Sequence, residues 1–334
     1  MRRVMVVLDT DPGYAARLAA YFNQHGSIGF KASAFSGLKA YQEFLKTASV
    51  EILLVSELLA GHLHGLTGDA KIILLSEDGF VRDGEHRPFG APAVFKYQPA
   101  DRMAREIMRL YADSGARPVS RVFSGHCEIL GIYSPVHRCG KTTLALTLGL
   151  VKAERGRTLL LSFEEFAGVF RNLNRDAGDD LSDVLYCYLQ GNYSWSRLKS
   201  AVHSFGNLEY IPPVHCMEDI SLLPSEDLQR LLKTIAEEGG YSTLILDFGS
   251  FGRRAAELLE LCSRIFMPVT EEPASALKLL SFYEYLDQSG KEELKDRLVK
   301  CRLPWEPEKA AEYAGGLISV YESGALYSYA SRLH

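Results

Sequence analysis

Short apolar runs punctuate the first third of the chain: Val4–Leu8, Ile52–Val55, Ile72–Leu75 and Ala93–Phe95. Between them, Tyr14–Gln24 and Leu38–Lys46 space their apolar residues at helical intervals, and Arg102–Tyr111 closes the series as a last helix. Short buried strands alternating with helices predict a parallel sheet covered on both faces. The Gly-, Pro- and Ser-bearing run Ala112–Ser120 breaks the pattern and predicts a linker over 113–126. A second series follows, with strands predicted at Ile129–Tyr133, Thr158–Leu161, Thr243–Leu246, Ile265–Val269 and Leu298–Cys301. Helices are predicted between them, including Leu144–Lys152, Ser225–Glu237 and Arg254–Leu261. The predicted fold is α/β in two domains, 1–112 and 127–334.

Composition narrows the class without naming a chemistry. A chain of 334 residues exceeds one typical core, which agrees with two domains. Apolar content of 47% and charged content of 24% are ordinary for a soluble globular protein. The net charge of −5 supplies no general attraction to nucleic acid or anionic lipid, so DNA is not an expected partner. Arg253-Arg254 and Arg171/Arg175 could form a local basic patch, but read more simply as solvated helix ends. Six scattered cysteines show no pair at metal-ligand spacing, as expected for reduced thiols. No run nears the ~20 apolar residues of a membrane helix, and no secretory leader is evident. The expected location is the cytoplasm. The tail Gly315–His334 lacks the cations of a membrane-surface helix, so membrane contact is expected only through a partner.

The candidate chemistry is concentrated in Ile132–Thr143, Ile-Tyr-Ser-Pro-Val-His-Arg-Cys-Gly-Lys-Thr-Thr. It follows a predicted strand and opens a predicted helix, the setting of a phosphate-binding loop. Gly140 lets the backbone approach a phosphate, Lys141 reaches phosphate oxygens, and the Thr142 hydroxyl suits Mg²⁺. Arg138, Cys139 and Thr143 complete the candidate binding set, and the helix N-terminus favours the anion. Pro135 stands where the general pattern has its first glycine. The plain alternative is an ordinary strand-to-helix turn with an exposed lysine. Further on, Thr243–Asp247 is an apolar run ending in an acid, which places Asp247 at the strand end where α/β sheets gather ligands.

These motifs carry two resemblances. Residues 1–112 resemble a response-regulator receiver, a flavodoxin-like domain, through Leu8-Asp9-Thr10-Asp11-Pro12, Ser56, Ser76 and Gln98-Pro99 at successive strand ends. The resemblance places Ser56 at the phosphoacceptor position and Gln98 at the lysine position, which implies a pseudo-receiver for docking or dimerisation. From Cys127 to about Cys301 the chain resembles ParA/MinD-type P-loop ATPases, with a doubly wound sheet. Val136–Thr143 aligns with that family's Lys-Gly-Gly-x-Gly-Lys-Thr-Thr loop, and Thr243–Ser250 with its Walker B segment. The combination resembles the TadZ/CpaE pilus-assembly family.

That resemblance implies ATP and Mg²⁺ as cofactors, with Thr142 and Asp247 at the metal and Asp247 and Glu164 as the candidate catalytic carboxylates. It further implies a homodimer that recruits pilus or secretion proteins at a cell pole. The family's signature lysine is Val136 here, and its catalytic aspartate falls near Ser162 or Glu164, so turnover is expected to be slow or absent. Two alternatives stay open: a scaffold whose ancestral sites bind nothing, and a DNA-partitioning ATPase.

Overall fold

The computed structural model describes residues 3–24, 30–63, 65–77, 88–112, 127–164, 168–173, 179–249, 253–304, 321 and 324–333. The predicted linker 113–126 lies outside the described residues, as do Arg175 and most of the stretch 305–323. The chain forms two compact units, the first from residues up to 120 together with 193–200, the second from 121–192 and 201–334.

In the first unit five strands pair in parallel: β1 (Arg3–Leu8), β2 (Phe30–Phe35), β3 (Ile52–Ser56), β4 (Lys71–Ser76) and β5 (Ala93–Phe95). Their order, β2-β1-β3-β4-β5, is the flavodoxin-like doubly wound order. The helices of its own stretch of chain are α1 (Pro12–Gln24), α2 (Leu38–Leu45), α3 (Glu57–Ala60) and α4 (Ala100–Ala112). Alternate residues of β1 feed opposite faces. Met5 and Val7 pack with Phe22, Ile107 and Tyr111, whereas Val6 and Leu8 pack with Tyr41, Leu53 and Leu63. Burial on both faces is why this strand reads as one unbroken apolar run.

Gln98, aligned with the receiver lysine, bonds Glu106 instead, and the ammonium that follows β5 is Lys96. Lys96 is 4% exposed, lies 3.0 Å from Asp9 and 3.0 Å from Glu77, and sits over the Tyr14 ring. Burial works to lower its pKa, but the bonds to Asp9 and Glu77 carry it above the ordinary lysine value. Ser56 and Ser76 are buried at neighbouring strand ends.

The second unit holds a seven-stranded mixed sheet: β6 (Glu128–Ile132), β7 (Thr158–Ser162), β8 (His203–Phe205), β9 (Leu208–Ile211), β10 (Thr243–Asp247), β11 (Arg264–Pro268) and β12 (Leu298–Cys301). Its order is β12-β11-β6-β10-β7-β9-β8, with only β8 antiparallel to its neighbour. The helices that follow in the chain are α5 (Lys141–Ala153), α6 (Gly168–Leu173), α7 (Leu181–Leu189), α8 (Trp195–Ser200), α9 (Met217–Leu222), α10 (Ser225–Glu238), α11 (Arg253–Leu259), α12 (Pro273–Gln288) and α13 (Gly324–Ala330). Of these, α8 belongs to the first unit, where it packs along α4 with Trp195 and Leu198 buried. Asp180 caps α7 through a reciprocal pair with Asp183.

Ser225, the first residue of α10, makes no capping bond; it accepts from Arg254 Nε at 3.1 Å. Arg254 also donates to the carbonyls of Ile220 and Leu223, so it is held inside the fold and is not a free surface cation. The side chains of Arg171 and Arg253 lie outside what is described. No helix among the described residues is long and apolar enough to cross a membrane.

Candidate functional site

The site gathers at the carboxyl ends of β6, β10 and β7, which are adjacent in the sheet. Backbone bonds extend this alignment past the strands: Phe248 N–H reaches the Ile132 carbonyl at 3.1 Å and Phe163 N–H the Asp247 carbonyl at 2.7 Å. The loop after β6 runs to Gly140, which sits at φ +86° and precedes α5 with no side-chain cap. A left-handed residue here is natural for glycine, and the uncapped start of α5 leaves its N–H groups facing the cavity. Helix α5 is held firmly behind them. Nine of its residues are buried, and Gly149 lies so close to Leu208 that a β-carbon would meet it at 2.8 Å.

Arg138 adopts φ +55°, a left-handed conformation that costs a side-chain-bearing residue energy. Val136 is 4% exposed, packed inside its own loop with its N–H on the Ser134 hydroxyl at 3.1 Å. Cys139 is also buried, directs its sulfur to the Val136 carbonyl, and has its thiol pKa pushed up by burial. Lys141 is 8% exposed, with Nζ 3.5 Å from the Val136 carbonyl.

Asp247 forms the other wall. It is fully buried; its Oδ2 accepts from the Thr142 hydroxyl at 2.8 Å and from Ser162 at 3.0 Å, while Oδ1 has no hydrogen-bond partner. Burial raises its carboxyl to about 6, and the charge of Glu164 adds to the rise, against the pull of the two hydroxyls and Lys141. Glu164 lines the same cavity as Arg138, Cys139, Gly140, Lys141, Thr142 and Thr143, a space of about 290 Å³. Gly249, at φ +52°, makes room for it: a β-carbon there would stand 2.7 Å from Oε2 and 2.8 Å from the Glu164 Cα.

The structure thus brings Arg138 to Thr143, Glu164 and Asp247 to one place. An unpartnered carboxylate oxygen beside a threonine hydroxyl, both hard donors, fits a Mg²⁺ ion. Thr142 and Asp247 are the residues that would hold it. Several contributors went unread in the sequence, Gly168 and Val169 of α6 among them. Leu303, after β12, seats a methyl 2.8 Å from where a Gly140 β-carbon would be, and Tyr321 lines the cavity wall.

No family model matches the chain, and no curated protein matches it. Among solved structures it is similar to a ParA family ATPase from Chlorobium tepidum TLS, at 17% identity over 61% of this chain and 97% of that one, with a TM-score of 0.48. It is also similar to the septum site-determining protein MinD from Pyrococcus horikoshii OT3, complexed with Mg-ADP, at 16% identity, 61% and 93% coverage and a TM-score of 0.46. A third is the cobyrinic acid a,c-diamide synthase of Mycobacterium smegmatis with a bound ATP analogue and magnesium, at 15% identity, 60% and 81% coverage and a TM-score of 0.42.

Proposed function

We propose that the second unit binds Mg²⁺ and an adenine nucleotide in the Arg138–Thr143 cavity, and that the protein works as a homodimeric localisation or assembly factor of the TadZ/CpaE kind. The observation that carries the nucleotide reading is the Thr142–Asp247 bond at the uncapped start of α5, with one Asp247 oxygen unpartnered. In this reading the N–H groups of α5, Lys141 and Arg138 hold phosphate oxygens, and Thr142 and Asp247 hold the metal. Mg²⁺ supplies charge neutralisation along the phosphates.

Turnover is slow on the same geometry. Val136, where the resembled ATPases carry a lysine, offers a partner subunit no cation, and its burial removes it from any shared face. Ser162 cannot act as a charged base, which leaves Glu164 as the carboxylate able to orient water. The recruiting role is supported by the pairing of this unit with a flavodoxin-like one, and by exposed Leu277, Leu280 and Tyr285 on α12.

In the first unit, Asp9 is tied to Lys96 and a serine stands at the phosphoacceptor position, so it takes no phosphate; intact mass after incubation with acetyl phosphate and Mg²⁺ should be unchanged. The nucleotide reading is tested by calorimetric titration of Mg-ATP into wild type and Lys141→Ala. Binding in wild type that is lost in the variant supports it, and silence in both at millimolar nucleotide leaves an interaction scaffold.

A further inference from the structure

Ser162 and Asp247 are register partners at the carboxyl ends of β7 and β10. The Ser162 hydroxyl donates to Asp247 Oδ2 at 3.0 Å and accepts from the Glu164 backbone N–H at 3.3 Å. The two bonds fix its direction. An N–H only donates and an ionised carboxylate only accepts, so the single hydroxyl proton goes to Asp247. Ser162 is 1% exposed and does not line the phosphate cavity, whereas Glu164 does. The backbone around the pair is pinned separately. Phe163 N–H bonds the Asp247 carbonyl at 2.7 Å, and the Phe163 and Phe248 rings stack with centroids 6.0 Å apart, 16° from parallel.

Two roles are open to this hydroxyl: to ligate a metal itself, or to hold the carboxylate that does. Its oxygen already accepts from Glu164 and does not reach the cavity, which decides for the second. Asp247 needs such a hold. Its other partner, Thr142, is itself placed at the metal, so the Thr142–Asp247 bond is among the contacts that metal binding rearranges. Ser162 is the partner that stays. With Oδ2 kept by Ser162, the oxygen left for an ion is Oδ1, which has no hydrogen-bond partner. The same hydroxyl holds the chain at Glu164, whose carboxyl lies against Gly249.

We infer that Ser162 is a positioning residue for the metal: its hydroxyl holds Asp247 by Oδ2, leaves Oδ1 for Mg²⁺, and joins that carboxylate to the backbone of the water-orienting Glu164. This rests on the nucleotide reading above and deepens it.

The test is calorimetric titration of ATP into the full chain, once with Mg²⁺ and once with EDTA, for wild type, Ser162→Ala, Asp247→Ala and the double variant. Ser162→Ala should weaken ATP binding about tenfold with Mg²⁺, the size expected for a hydrogen bond to a charged group, and leave the EDTA affinity unchanged. The double variant should be no weaker than Asp247→Ala alone, because the hydroxyl acts through that carboxylate. A loss of equal size with and without Mg²⁺ would mark general damage to the loop and overturn the inference. Unchanged Mg-ATP affinity in Ser162→Ala, a full further loss in the double variant, or wild-type binding indifferent to Mg²⁺ would overturn it too. All four results leave a Lys141-dependent nucleotide site intact. Absence of binding to wild type under either condition would overturn both.

Discussion

Asp247 is a fully buried carboxyl at the end of β10, and its burial makes a prediction independent of any ligand. A carboxyl held near 6 in the folded chain and near 3.8 when unfolded binds its proton more tightly when folded. Its contribution therefore favours folding most below pH 4, declines as pH rises to 6, and is a constant penalty of roughly 3 kcal/mol above that. Asp247→Asn should accordingly stabilise the nucleotide-free protein at pH 8 by up to that amount. Denaturant unfolding of both proteins should show the difference vanishing near pH 4; a difference that instead grows on acidification would contradict the assignment.

The Lys96–Asp9 pair makes a second case at this scale. Removing one partner strands a buried charge, so Lys96→Ala should cost about 3–5 kcal/mol in the same assay, whereas Lys96→Met with Asp9→Leu should cost much less. Asp247, Lys141 and Thr142 were legible because each belongs to a motif with a fixed order. Lys96 was not: two residues separate it from Pro99 where the alignment put Gln98 beside that proline, and only the end of β5 shows which side chain turns inward.

At the scale of elements, the site depends on two glycines in left-handed conformations. Gly249→Ala would force a β-carbon against the Glu164 backbone as well as a strained φ, and should destabilise by more than the about 1–2 kcal/mol of the backbone strain alone. Gly140→Ala meets only a Leu303 methyl, which can rotate away, so its stability loss should stay close to that backbone value. Thermal or denaturant unfolding of the two variants separates them; equal losses would mean the Glu164 contact carries no weight.

Most strands were readable as apolar runs because both of their faces are buried. Strand β2 was not, since Phe30–Phe35 lies at the sheet edge with Lys31 exposed and forms no such run. Tyr321 escaped for a different reason: its neighbours in the apolar cluster, Leu144 and Leu148 of α5, are distant in sequence, and no periodicity links them.

For the molecule as a whole, α8 changes what cleavage should do. The helix belongs to the first unit, although the chain on both sides of it belongs to the second. Proteolysis within 113–126 should therefore leave fragments that co-elute under native conditions, because α8 remains seated on α4, and Trp195→Ala should let them separate. Fragments of uncut-like stability that separate without the substitution would contradict that seat.

Nucleotide binding in the Arg138–Thr143 cavity is the proposal on which the rest depends. It is tested most directly by the melting temperature of the full chain across a Mg-ATP series. Saturation to about 100 times the dissociation constant should stabilise by about 2.7 kcal/mol, with the shift abolished by Lys141→Ala and sharply reduced when Mg²⁺ is withheld. A melting temperature unmoved by millimolar Mg-ATP, identical in wild type and Lys141→Ala, would contradict it.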